Sequence, residues 1–407
     1  MTRRLAVLLT ALAALLVVVV VVERPHAAAR LPGTRPLTDT AQAPGQQTWS
    51  AWPQAGHDGQ RSGASTATGP VTGHVRWTRR LEGNVTPGPV VAPDGTIVAA
   101  SNAGVLHGLD PATGRDRWTF DAHGGYGLDL STSPAVLPDG TVLWPGPHNT
   151  LYAVLNGHLL WSQVFRGQPS SPAVPPDAAT AFVGSSDGAV TALRLRDHAV
   201  LWQTHVGDSS YGSVALSPVD PNRVYQTVDN DLVALEGGTV AWRRPLGDLV
   251  EVSPAVAPDG TVVTGSNHRV ERAFRPDGSA AWSFSLGAQT YSSPVVTHDG
   301  TAWFGDHQAY VTGVDVRTGR IRGRFRGESV QPRGGASVGV WTSPLIDAAH
   351  DVYWGTRLGH VYGRAPSGRQ LFDISTGATV DSYPALTGDG MLVVGVTDGR
   401  LMGIADL

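Results

Sequence analysis

From residue 89 to 120 the chain reads PVVAPDGTIVAASNAGVLHGLDPATGRDRWTF, and its apolar residues come in short runs parted by turn signals. The first run ends at Asp94-Gly95, the second near Asn102 to Gly104 and the third at Asp110 to Gly114, after which a fourth segment carries Trp118. Asp-Gly between β-rich runs is a strong hairpin signal, because glycine accepts positive φ and the turn then matches the twist of its strands. The pattern predicts a four-stranded antiparallel meander. Its first strand is apolar at nearly every position, which predicts burial on both faces, as at the inner edge of a propeller blade.

This pattern returns at a period near forty residues. Alignment on Pro89, Pro134, Pro172, Val214, Pro254, Pro294, Pro344 and Pro384 gives eight copies, two of them with insertions. A second ladder interleaves with the first: Trp77, Trp118, Trp161, Trp202, Trp242 and Trp282, then Gly323 and Phe372 where the tryptophan is lost. Self-similarity at such a period signals a repeat architecture. The last copy ends at LMGIADL without a fourth strand, while HVRWTRRL at 74–81 carries a ladder tryptophan with no strands before it. Supplying the missing strand from the N-terminal side closes the ring and removes an open sheet edge. The expected fold class is therefore all-β: an eight-bladed β-propeller of four-stranded antiparallel blades over residues 51–407, closed by an N-terminal strand. Seven blades is the alternative if one degenerate copy is not a blade.

Composition agrees with many short strands and tight turns. There are 50 glycines, 29 prolines and 12 tryptophans against 16% charged residues. The formal net charge is −4, and all 30 basic residues are arginines. The arginines are scattered, so the electrostatic footprint of a nucleic-acid binder is missing. Without lysine there is no Schiff-base chemistry, and without cysteine there are no disulfides, thiolate zinc sites, cysteine nucleophiles or lipid-modified N-terminal cysteine.

Ahead of the repeats, Arg3 and Arg4 precede an uncharged run from Leu5 to Val22. Its 18 residues would span about 27 Å as a helix, just short of a typical hydrocarbon core and longer than most signal-peptide apolar runs. Residues 1–24 thus read as one N-terminal membrane helix, a signal-anchor, or as a signal peptide cleaved after Ala29. With the arginines held in the cytoplasm, the remainder is expected to be extracytoplasmic, anchored or secreted. Residues 25–50 are polar and proline-rich, the composition of a flexible linker.

Several segments resemble the PQQ-like propeller repeat family, which includes quinoprotein alcohol dehydrogenases and BamB-type outer-membrane assembly proteins. They are LDPATGRDRWTF at 109–120, its weaker copy VDVRTGRIRGRF at 314–325, the repeated SP…DGTV, and WPQAGHDGQRSG at 52–63, similar to the stretch that often leads into such propellers. The resemblance covers roughly residues 51–407. It implies that the loop entering each inner strand and the hairpin between second and third strands share one face around the central channel. The residue three before each aligned proline then lines the channel mouth: Thr86, Ser131, Pro169, Tyr211, Glu251, Tyr291, Trp341 and Asp381.

Five of these, Tyr211, Glu251, Tyr291, Trp341 and Asp381, are the candidate binding residues. Rigid aromatic faces beside carboxylates suit a sugar or a peptide segment; the plain alternative is that aromatics fill the funnel and carboxylates are solvated there. Tyr126 and Arg333, in the two insertions of the same loop class, are candidate secondary contacts. No catalytic or metal-binding set is assigned, because HExxH, nucleophile-elbow and phosphate-loop motifs are absent. His148, His268 and His307 read as polar turn residues. The expected function is a monomeric, non-enzymatic extracytoplasmic scaffold that binds an envelope protein or glycan at the channel face, with no cofactor and no nucleic acid. The alternative is a PQQ- and calcium-dependent dehydrogenase acting on alcohols or sugars.

Overall fold

The computed structural model describes residues 50–124, 132–267, 269–327 and 339–407. All of them belong to the unit Ala43–Leu407; the unit Met1–Gln42, with the expected membrane segment, lies outside them, as does the linker up to residue 49. Among the described residues every regular element is a strand, and the strands form eight sheets. The first blade runs Val90–Val91, Ile97–Ala100, Val105–Leu109 and Asp116–Asp121, paired in chain order from inside to outside. In the eighth blade His74–Arg80 supplies the outermost strand and pairs antiparallel with Arg400–Ala405. The expected N-terminal closure is present.

Eight hydrophobic clusters hold the ring, each bridging two neighbouring blades. Between blades one and two, Val98 and Leu106 meet Val142 and Trp144. Ile97 and Leu109 of the first blade meet Val393 and Leu401 of the eighth, so the core is continuous around the circle. Inner and middle strands are buried on both faces, whereas outer strands alternate; His158–Val164 is a clear example. The third blade departs from the expected four strands. Its sheet has three, and the inner strand is reduced to a bridge between Ala173 and Phe182. Pro175 and Pro176 follow at once, and neither has an N–H to extend a ladder.

The repeated residues have identifiable duties. The serine before the aligned proline accepts a backbone N–H from the blade before it: Ser133 Oγ from Gly88, Ser171 Oγ from Ser133, Ser253 Oγ from Ser213 and Ser293 Oγ from Ser253, at 2.8 to 3.0 Å. In the Asp-Gly-Thr turn, Gly95 adopts φ 82° and the Asp94 carboxylate accepts the Thr96 N–H at 2.9 Å. The ladder tryptophan fastens its outer strand to the next blade. Trp77, Trp242 and Trp282 donate their indole N–H groups to the carbonyls of Pro111, Pro276 and Val316. Where blade six has Gly323, Trp303 of its own second strand lies against both Gly313 and Gly323 and fills that volume.

The lead-in at 52–70 closes one end of the channel. It passes the inner strands in order, and most of them donate to it the N–H two residues after the aligned proline: Val91 to Trp52 O, Val136 to Pro53 O, Val174 to Gln54 Oε1, Leu216 to Gly59 O, Val256 to Gln60 O and Ile346 to Gly63 O, at 2.7 to 3.0 Å. These N–H groups lie on the free inner edge of each blade, where an unpaired donor would be costly. The buried Asp58 organises the segment by accepting from Ser62 Oγ and from the N–H groups of Gln60 and Ser62. Burial opposes its ionisation, but His57 and Ser62 prevail and hold its pKa below the usual value.

Candidate functional site

The mouth residue comes three positions before the aligned residue, and in six blades the N–H taken by the lead-in comes two positions after it, so the lead-in and the mouth residues lie at opposite ends of the channel. The result is a blind cavity of about 460 Å³. Its floor is Ala55, Gly56 and Arg61, its walls include Ser171, Ser213, Ser253, Ser293 and Ser343, and its rim carries Thr86, Tyr211, Glu251, Tyr291, Trp341 and Asp381. All five candidate mouth residues therefore border one cavity. Of the other aligned positions, Pro169 bridges to Ser185 in its own blade, while Ser131 lies outside the described residues, as do Tyr126, Arg333 and His268.

A second set of mouth residues comes from the hairpin between second and third strands, sixteen positions after the loop residue. Thr86 Oγ1 donates to Asn102 Oδ1 at 3.1 Å, and Asn267 Nδ2 donates to Glu251 Oε2 at 3.0 Å. In blade six the ring of Tyr291 lies 4.8 Å from His307, and in blade seven the Arg357 guanidinium lies 3.9 Å over Trp341. These pairs establish that loop and hairpin share one face. His307 is a turn residue, as expected, and its imidazole also lies parallel to Trp341, with centroids 5.4 Å apart. The constant offset of sixteen was available in the sequence; what hid it was the change of residue type at every step.

Charge at the rim is partly compensated. Arg357 Nε stands 3.7 Å from Asp381 Oδ1, too far for a hydrogen bond. Burial raises the pKa of Asp381 against the opposing pull of Arg357. Burial, then Glu251 and Asp248, raise that of Tyr291. Burial and Arg357 together lower that of His307. On the floor Arg61 donates to the carbonyls of Ala55, Ser171 and Val214 at 2.6 to 3.2 Å. Desolvation brings its pKa down to about 10, opposed by Asp58 and Tyr383, and it stays cationic at neutral pH. Opposite, the Tyr383 hydroxyl reaches Ser293 Oγ at 3.4 Å and narrows the channel.

A calcium-bound quinone asks for several converging oxygen ligands and an aromatic face free to stack. Among the described residues no three His, Cys, Asp or Glu side chains converge as metal ligands. Glu251 is engaged by Asn267, Asp381 stands beside Arg357, and the Trp341 ring is covered by Arg357. This donor set does not fit that group.

The ring of eight blades, with its blind axial cavity, defines the class as a β-propeller. A family model described as outer membrane protein assembly factor BamB matches residues 61–220 and 186–406. The chain belongs to the PQQ-like β-propeller family. No curated protein matches it at the level of sequence. Among solved structures it is similar to BamB from Moraxella catarrhalis, with TM-score 0.63 and 16% identity over 82% of this chain and 98% of that one. It is similar also to the quinohemoprotein alcohol dehydrogenase from Comamonas testosteroni, with TM-score 0.66 and 13% identity over 88% and 81% of the two chains. The computationally designed Ika8 protein gives TM-score 0.66 and 16% identity over 80% and 98%. At these identities the structural likeness concerns the fold alone.

Proposed function

We propose that this chain is a non-enzymatic, extracytoplasmic scaffold in cell-envelope assembly, which presents its channel mouth to a protein or glycan partner and is held to the membrane by its N-terminal segment. The observation that carries the reading is the convergence of Tyr211, Glu251, Tyr291, Trp341 and Asp381 on one blind cavity. Eight repeats share their framework residues, and the aromatic and acidic side chains collect where the framework leaves a position open. Such a surface offers stacking faces and hydrogen-bond acceptors on a rigid support. The family match to a BamB model supports an envelope role.

Proximity labelling in cells tests the proposal, with wild type compared to the Tyr291→Ala/Trp341→Ala pair. The expected result is loss of specific neighbours from the labelled set; an unchanged set means the aromatic mouth is filler. A dehydrogenase is tested separately by adding PQQ and calcium to the purified protein and following dye-coupled oxidation of alcohols and sugars. Turnover that disappears in Glu251→Ala or Asp381→Ala would overturn the scaffold reading.

A further inference from the structure

The two sides of the mouth differ in how the protein itself uses them. At blades seven and eight a cation is already in place: the Arg357 guanidinium lies 3.9 Å over the Trp341 ring and 3.7 Å from Asp381. An aromatic face and a carboxylate together hold it, each supplying part of the attraction. At blades four to six the same two kinds of group recur around the same cavity, as Tyr211, Glu251 and Tyr291. Among the described residues no arginine lies over either tyrosine, and the Tyr291 ring is braced by His307 and Trp341 at 4.8 and 4.6 Å. Tyr211 is 61% exposed, so its face is open from the solvent side.

The charge of this arc points the same way. Its entry loops carry Asp208, Asp248 and Glu251, and the last two act on the Tyr291 hydroxyl strongly enough to help raise its pKa. Two of the nearby arginines are committed elsewhere. Arg272 donates to Leu246 O and Ser266 Oγ beneath the loop, Arg61 is taken up by carbonyls on the floor, and Arg269 stands exposed at the end of the blade-five hairpin.

We propose that Tyr211, Glu251 and Tyr291 form a receptor for a lysine or arginine side chain presented by a peptide segment of a protein partner. The inference rests on the reading of the mouth as the binding face and narrows it to one chemistry. A neutral sugar would use the tyrosine faces but bring no charge to Glu251, whereas a basic side chain uses both, as Arg357 does next door.

The test uses the full chain in detergent on an array of peptides alike except for a central Lys, Arg, Gln or Glu, beside an array of neutral and acidic glycans. Basic peptides are expected to be retained at least about tenfold better than the Gln peptide, a difference of about 1.4 kcal/mol, with the advantage shrinking as salt is raised. Glu251→Gln should remove that preference and Tyr211→Ala/Tyr291→Ala the binding itself, while Arg117→Ala on the outer rim changes neither. Equal capture of Lys and Gln peptides, or capture of glycans alone, with loss in Tyr291→Ala/Trp341→Ala, overturns the receptor and leaves the mouth reading standing. Binding of any kind that ignores every mouth variant overturns both, and failure to retain any basic peptide overturns the receptor.

Discussion

A single side chain breaks the eightfold pattern of the core. The second residue of each third strand is Leu106, Leu151, Val190, Leu232, Val311, Val361 or Leu401, all fully buried, but in blade five it is Glu271. Its carboxyl lies against Gly265, where an added Cβ would come within 2.4 Å of Oε1, and neither carboxyl oxygen has a hydrogen-bond partner among the described residues. Burial, only partly offset by Arg272, pushes its pKa up to about 8. The native state therefore keeps a proton that the unfolded chain releases near the ordinary carboxylate value, and linkage makes stability fall as pH rises from about 5 to 8. Each unit in that window costs about 1.4 kcal/mol from this group. Glu271→Leu should raise Tm at pH 8 by more than at pH 5 and flatten the profile, as scanning calorimetry across that range would register. An equal shift at both pH values would mean the carboxyl is ionised in the native fold.

Strands pair within each blade, and contacts between blades hold the sheets together. Trp282 joins blade five to blade six through Val316 O, and its ring lies against Gly319. Trp282→Ala should destabilise by about 3 kcal/mol, within the range for large-to-small core changes, measurable by chemical denaturation. The lead-in acts on more blades at once. Arg61→Met would leave the carbonyls of Ala55, Ser171 and Val214 without their donor, at about 1–3 kcal/mol for each that stays dry, and a drop in denaturation midpoint should follow. These elements also mark how far sequence alone reaches. Strand order, the closing strand and the five mouth residues were legible because Pro, Asp-Gly and Trp repeat at constant offsets and their backbone duties are fixed. The hairpin partners Asn102, Asn267, His307 and Arg357 were not, because an amide, an imidazole and a guanidinium share a position there without sharing a chemistry. The floor was hidden for another reason: 52–63 has no repeat to compare with, and its partners are carbonyls and N–H groups up to 283 residues away, as for Gly63 and Ile346.

At the scale of the ring, the residues nearest its two ends along the chain meet in one blade. Val71, Thr72 and Gly73 donate their N–H groups to the Asp406 carboxylate, and His74–Arg80 lies along Arg400–Ala405. Removal of residues 400–407 should leave both Trp77 and the inter-blade core at Ile97 and Leu109 without support, and cooperative melting should be lost; a shortened chain that still melts in one sharp transition would contradict this. Pairing across such separations makes folding slow. It also couples completion to the order of synthesis: His74–Arg80, made before every other described strand, finds its partner only once Arg400–Ala405 has been made.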